Sequence, residues 1–250
     1  MELEKLTSTQ YWDTRYEEEE HTEWLLDAEQ LGRRVEDAAS KWGKQARILH
    51  LGCGTSLLPE YLFQRGYRNV SNIDNSPVCI STMSQRFPHL SFELMNLNNL
   101  QFEEATFDIV VEKSTLDTLI SDCSVEGGLL VQTGLRELRR VLKPGGVVLS
   151  VSLLSANKHS SILSPLGGRA EHELIRGGED QVDCNVATVY LEEGNCDGGG
   201  VHSLVTQTNL EDQNQAAFSD EEDLNDHGEE DYDCDGLSEE YKDLVRSMIS

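Results

Sequence analysis

The feature that most constrains this chain is the run Arg47-Ile48-Leu49-His50-Leu51-Gly52-Cys53-Gly54-Thr55-Ser56, followed by Asn72-Ile73-Asp74, with Asp74 placed 22 residues after Gly52. A short apolar run of this kind reads as a buried parallel strand. It stops at Gly-x-Gly, and a helical pattern (Leu57, Leu58, Tyr61, Leu62) begins at once. The two glycines let backbone amides approach a ligand closely at the carboxyl end of the strand. Asp74, at the end of the next strand, is placed to accept hydrogen bonds from two ribose hydroxyls. Together these features predict a site for a nucleoside cofactor.

A dinucleotide fingerprint requires G-x-G-x-x-G, whose third glycine gives close helix–strand packing beside a pyrophosphate. The sixth position here is Leu57. A cofactor without phosphates, such as S-adenosylmethionine, makes no such demand.

The rest of the first 157 residues alternates in type. Apolar positions at Leu25, Ala28, Leu31, Val35, Ala38 and Trp42 predict a helix over 25–42. Strand Ile48–Leu51 precedes helix Leu57–Gln64, and strand Val70–Ile73 precedes a helix opened by Ser76 as N-cap and Pro77 at its first position. Strands Leu90–Leu94 and Phe107–Val111, helix Gly134–Leu142 and strand Val147–Leu153 follow. Such alternation predicts an α/β fold with a doubly wound, mostly parallel sheet and a ligand at the carboxyl ends of its strands. Later, Val186–Leu191 and Val201–Thr206 are candidate strands. The acidic stretch Leu210–Asp235 predicts disorder, and Leu237–Ile249 a short terminal helix. The expected division is a helical cap at 1–46, a cofactor-binding core at 47–157, a divergent region at 158–209 and an acidic tail at 210–250.

Charge narrows the partners. The formal net charge of −26 comes mostly from residues 177–250, which carry 21 acidic and 2 basic side chains against 25 and 18 in residues 1–176. Phosphate backbones and anionic membranes should repel such a chain, and a basic protein is its natural partner. The sequence has no apolar run of transmembrane length and no signal or transit character at its start, which predicts a cytoplasmic protein. Six scattered cysteines without a C-x-x-C spacing predict reduced thiols and no metal site.

Several motifs resemble one enzyme family. Tyr11-Trp12-Asp13-x-Arg15-Tyr16, Gly52-Cys53-Gly54-x-Ser56, Gly66-Tyr67-Arg68-Asn69-Val70 with Asn72-Ile73-Asp74, and above all Glu112-Lys113-Ser114-Thr115-Leu116-Asp117 are similar to class I S-adenosylmethionine-dependent methyltransferases. The narrower resemblance is to the branch holding the elongation-factor-1A lysine and N-terminal methyltransferases and the citrate-synthase lysine methyltransferase. Arg139-x-Val141-Leu142-x-Pro144-Gly145-Gly146 is general to the class. The resemblance covers roughly residues 10–157. It implies a seven-stranded Rossmann-like sheet, S-adenosylmethionine as cofactor and a protein lysine as acceptor, for instance on elongation factor 1A.

Residue by residue, the resemblance implies cofactor contacts from Trp12, Arg15, Tyr16, Gly52, Cys53, Gly54, Asp74, Asn75, Asn96, Leu97 and Glu112. It assigns catalytic roles to Glu112, Lys113 and Asp117, with Glu112 orienting the acceptor amine. Asn96 stands where the family has an aspartate, and its carbonyl can accept the same adenine hydrogen bond. Ser114 stands where the family has glycine. Simpler readings compete at some of these positions. Lys113 and Asp117, four apart, also suit a surface ion pair worth about 0.3–0.5 kcal/mol. Trp12 and Trp24 suit packing, and His50 suits a buried neutral histidine. At the level of function, a small-molecule methyltransferase and a non-catalytic protein on the same fold stand beside the lysine methyltransferase.

Overall fold

The computed structural model describes residues 6–18, 23–122, 124–177, 182–193 and Val245. The expected strand Val201–Thr206, the acidic stretch and all of the expected terminal helix except Val245 lie outside the described residues. Val245 is helical and buried in the core.

Seven strands form one sheet: β1 (Ile48–Leu51), β2 (Val70–Asp74), β3 (Ser91–Leu94), β4 (Phe107–Lys113), β5 (Leu142–Ser152), β6 (Arg169–Ile175) and β7 (Cys184–Tyr190). Their spatial order is β3-β2-β1-β4-β5-β7-β6. The first five run parallel, while β7 is antiparallel to both β5 and β6. The order reverses between β1 and β4, the point at which an open α/β sheet leaves a crevice at its strands' carboxyl ends.

Seven helices accompany the described sheet: α1 (Thr9–Glu18), α2 (Ala28–Ala38), α3 (Leu58–Gln64), α4 (Pro77–Arg86), α5 (Thr115–Ile120), α6 (Val125–Val141) and α7 (Ala156–Leu163). Strand residues alternate between two apolar layers. Ile48, Ile109, Val111, Val147 and Leu149 pack with Leu31, Val35, Leu58 and Leu62 from α2 and α3. Leu49, Leu51, Val110 and Val148 pack on the other face with Leu116, Leu135 and Leu138 from α5 and α6. Both faces being covered explains why the central strands are apolar runs rather than alternating patterns.

Local chemistry sets the boundaries. Ser76 caps α4 by accepting the Cys79 amide at 3.0 Å, with Pro77 opening the helix, as the sequence predicts. The helix expected over 25–42 is shorter, because Asp27 and Gln30 form a capping box that starts α2 at Ala28. Its continuation is two 3-10 turns, Ala39–Lys41 and Gly43–Gln45. Helix α6 begins nine residues before the predicted start, since Ser124 accepts the Gly127 amide at 3.0 Å. Strand β6 has no alternating burial, so only its pairing with β7 reveals it.

Candidate functional site

The crevice holds a cavity bounded by the ends of β1, β2 and β4, the loop after β3, and α1. Its wall includes Trp12, Arg15, Tyr16, Gly52, Cys53, Gly54, Asp74, Asn75, Asn96, Leu97 and Lys113. Eleven of the residues expected from sequence thus converge, from five separate stretches of chain.

Asp74 is the organising group. One carboxylate oxygen accepts the Ser76 amide at 2.9 Å and the other accepts the Gly54 amide at 3.0 Å. The side chain is thereby fixed at the cavity wall with lone pairs left over, since a carboxylate offers about four acceptor positions. Burial raises its pKa, and the amide hydrogen bonds oppose that rise.

The two glycines do different things. Gly54 has φ of 48°, and a β-carbon there would lie 3.1 Å from the Tyr16 hydroxyl, so its absence leaves space on the cavity side. Gly52 has φ of 55°, and a β-carbon there would meet Thr115 Oγ1 at 2.1 Å. Thr115 itself donates to the Leu51 carbonyl at 3.2 Å. Gly52 therefore serves close packing between the β1 loop and α5, a role that the sequence alone does not separate from ligand approach. Positive φ at both positions independently favours glycine.

Cys53 and Cys79 are buried and their thiols hydrogen-bond one another. That bond and burial hold the Cys53 thiol well above its ordinary pKa. The ligand atoms of Cys53, Asp74 and Cys79 lie within 4.8 Å of one another, the one such group among the described residues. The protonated, apolar setting of the thiols, packed with Met83, suits structure rather than metal ligation.

Aromatic side chains bound the cavity from the N-terminal segment. Trp12 stacks on Tyr16 with ring centroids 5.8 Å apart and lies 5.6 Å from Trp24. Arg15 sits over Trp24, 4.9 Å from the ring centre. Trp24 thus belongs to the wall as well as to the packing. The Tyr16 phenol is held well above its ordinary pKa by burial and by the Asp74 charge, so it stays neutral. Asn96 caps the 3-10 turn Leu97–Asn99 by accepting the Asn98 amide at 2.9 Å while facing the cavity.

Two expected catalytic residues are not brought to the cavity. Glu112 is fully buried behind it, where one oxygen accepts the Thr115 and Leu116 amides at 3.1 and 3.2 Å. Its other oxygen accepts from Ser150, whose hydroxyl is also 2.7 Å from His159 Nε2. Burial is the main cause that pushes the Glu112 carboxyl up to about 8, with Asp117 adding repulsion. Asp117 is 3% exposed and accepts Ser152 Oγ at 2.5 Å and the Leu153 amide at 3.1 Å. Both carboxylates brace α5 against β5, and neither side chain lines the cavity. The alternation of β4 decides this: Glu112, like Val110, points into the layer between sheet and α5, whereas Lys113 at the strand's end and Ser114 and Thr115 just beyond it line the cavity.

Lys113 lines the cavity, but its ammonium pairs with Glu23 rather than with Asp117. The expected surface pair is therefore replaced by a buried one. Glu23 is the residue that the sequence hides, since it follows the acidic run Glu17–Glu20 and reads as one more solvated charge. Ser114 departs from glycine at a demanding place: it adopts φ of 60° and is 5% exposed. His50 is buried and neutral beside Asn72 at 3.3 Å, its pKa brought down to about 3 by burial and by the Lys113 charge.

Residues 49–150 match the methyltransferase domain family. The mouse protein named EEF1A lysine methyltransferase 4 is 36% identical over 165 residues, 61% of this chain and 63% of that protein. The mouse protein named eEF1A lysine and N-terminal methyltransferase is 35% identical over 159 residues, 60% of this chain and 22% of that protein. The chain thus spans less than two thirds of the length of these relatives. Among solved structures, the N-methyltransferase NodS of Bradyrhizobium japonicum superposes with a TM-score of 0.53 at 21% identity, over 65% of this chain and 95% of that one. A methyltransferase of Methanosarcina mazei gives 0.54 at 15% identity, over 64% and 98%. At those identities the likeness concerns the fold. NodS has also been solved with S-adenosylhomocysteine, at a TM-score of 0.51 over 64% of this chain and 85% of that one.

Proposed function

We propose that this chain, a member of the class I S-adenosylmethionine-dependent methyltransferases, methylates a lysine of a protein such as elongation factor 1A in the cytoplasm. The observation that carries the reading is the fixed Asp74 carboxylate beside the Gly52–Gly54 turn, at the point where the sheet order reverses. The naming of its 36%-identical relative as a lysine methyltransferase supports the acceptor class.

S-adenosylmethionine supplies an electrophilic methyl group when bound. The chain's residues have a fitting set of tasks. Asp74 accepts from the ribose hydroxyls with the lone pairs that the backbone amides leave. Asn96 and Leu97, on the turn after β3, bound the adenine end. Trp12 and Tyr16 cover the cofactor and exclude water. Methyl transfer is an in-line displacement, so positioning supplies most of the rate. A lysine amine must also arrive uncharged, against an ordinary pKa of about 10.4. Asp74 is the one carboxylate on the described cavity wall, and it is committed to binding. Loss of water in an aromatic enclosure, rather than a general base, therefore favours the neutral amine. Leu130 at the wall and Leu129 beside it, 56% exposed, give the mouth an apolar rim suited to a polypeptide.

The test is transfer of labelled methyl groups to purified elongation factor 1A, with cofactor titration by calorimetry and Asp74→Ala in parallel. Labelling of a lysine by the wild type, lost in the variant, is the expected result. Cofactor binding without labelling would redirect the search to other basic proteins. No cofactor binding would overturn the reading in favour of a non-catalytic protein on this fold.

A further inference from the structure

Lys113 leaves the carboxyl end of β4 with its side chain 7% exposed. Its ammonium donates to the Leu26 carbonyl at 2.7 Å and pairs with the Glu23 carboxylate. Glu23 in turn accepts the Leu57 amide at 2.7 Å and the Ser56 hydroxyl at 3.0 Å. One carboxylate thus joins three parts of the chain: the segment after α1, the start of α3 and the end of β4. Its charge is answered at short range, while an unpaired charge at such a depth would carry a large desolvation cost.

The backbone is bent to make this arrangement. Leu25 adopts φ of 58°, and the Leu26 amide donates to the Trp24 carbonyl at 2.6 Å. A residue bearing a β-carbon is disfavoured in that region and persists there when surrounding contacts over-determine it. The tight turn presents the Leu26 carbonyl to Lys113 and directs Trp24 toward Trp12 and Arg15. Trp12 and Trp24, with the Arg15 guanidinium over the latter, form the aromatic wall of the cavity.

We propose that Glu23 and Lys113 are positioning residues whose ion pair holds the aromatic wall against the cavity and sets how long the nucleoside cofactor stays bound. Lys113 takes no part in methyl transfer itself. Both hydrogen-bond acceptors of the ammonium, the Glu23 carboxylate and the Leu26 carbonyl, belong to the segment carrying Trp24, which holds the side chain against that segment. This inference rests on the function proposed above.

The experiment compares wild type with Glu23→Gln, Lys113→Met and the double variant. Glu23→Gln is the conservative member, since an amide oxygen still accepts from Leu57 and Ser56. The double variant leaves no buried charge alone if Lys113→Met folds poorly. Three quantities are measured: release of S-adenosylhomocysteine by stopped-flow tryptophan fluorescence, amide hydrogen exchange over residues 9–26 without cofactor, and kcat at saturating cofactor. Release is expected to quicken about tenfold and exchange over 9–26 to accelerate, while kcat stays within about twofold. The double variant should be no worse than the more affected single one, as a shared interaction requires. Unchanged release and exchange would overturn the proposal. So would a large fall in kcat with release unchanged, which would put Lys113 at the reacting atoms. If the wild type binds no cofactor, the functional reading fails and the retention role fails with it, while hydrogen exchange still reports whether the pair holds the wall.

Discussion

The Asp74 carboxylate accepts the backbone amide of Gly54 at 3.0 Å, tying the end of β2 to the turn that closes β1. The bond fixes a charged acceptor beside a glycine whose backbone can approach a ligand without a side chain in between. Asp74→Ala removes both the tie and the acceptor. Loss of two charge-assisted hydrogen bonds to a ribose costs about 3 kcal/mol, roughly a 150-fold weaker Kd for S-adenosylmethionine. Calorimetry on the folded variant checks this, and an unchanged Kd would remove Asp74 from the cofactor site.

Gly52→Ala and Ser114→Gly should move stability in opposite directions. The alanine forces a β-carbon onto Thr115 at a positive φ, and should cost about 2 kcal/mol or more. The glycine relieves a serine held at φ of 60°, and should stabilise by about 1 kcal/mol. Urea denaturation of each variant measures both. A destabilised Ser114→Gly would mean that the hydroxyl has a contribution exceeding its backbone strain.

Stability should pass through a maximum near pH 6.5. His50 and His159 are buried and neutral, with pKa values brought down to about 3 chiefly by burial, so the unfolded chain takes up protons that the folded chain refuses as pH falls below 6.5, the ordinary histidine value. Glu112 acts in the other direction. Its folded carboxyl, pushed up to about 8, keeps a proton that the unfolded chain loses at acidic pH, so its contribution is lost as pH rises toward 8. One proton of difference corresponds to about 1.4 kcal/mol per pH unit. Glu112→Gln keeps the neutral hydrogen-bonding form and should flatten the alkaline limb. Melting temperatures from pH 5 to 9 for both proteins decide it, and parallel curves would contradict the assignment.

The rate of lysine methylation should rise with pH without a base-limited plateau. Asp74, the one carboxylate on the described wall, is held by two amides, and Glu112 and Asp117 are buried away from it. The acceptor must therefore lose its proton through its own ionisation, and kcat/KM should climb about tenfold per pH unit between roughly pH 7 and 9. A plateau beginning below pH 8 would reveal a base in the site.

Residues whose function is local are legible in the sequence. Gly54 and Asp74 sit at the ends of neighbouring parallel strands, and the spacing between those ends is nearly fixed by one intervening helix. Ser76 and Pro77 announce a helix start by their own hydrogen-bonding and dihedral preferences. The place of Glu112 was not legible: its motif position suggests the methyl-transfer site, yet strand alternation turns its side chain into the interior. Strand β6 is not legible in the sequence because six of its seven residues are charged or apolar without period, and its hydrogen bonds come from β7 rather than from any local preference.

The sequence by itself determined the alternating α/β order, the Gly-x-Gly turn and the acidic clamp that follows it, since each rests on interactions within a few residues or on a single strand–helix–strand unit. Tertiary structure alone decided the partner of Lys113. Asp117 is four residues away along the chain and Glu23 is ninety, yet burial makes the distant carboxylate the effective one: a charge removed from water must be answered at contact distance, and only the folded chain brings Glu23 there.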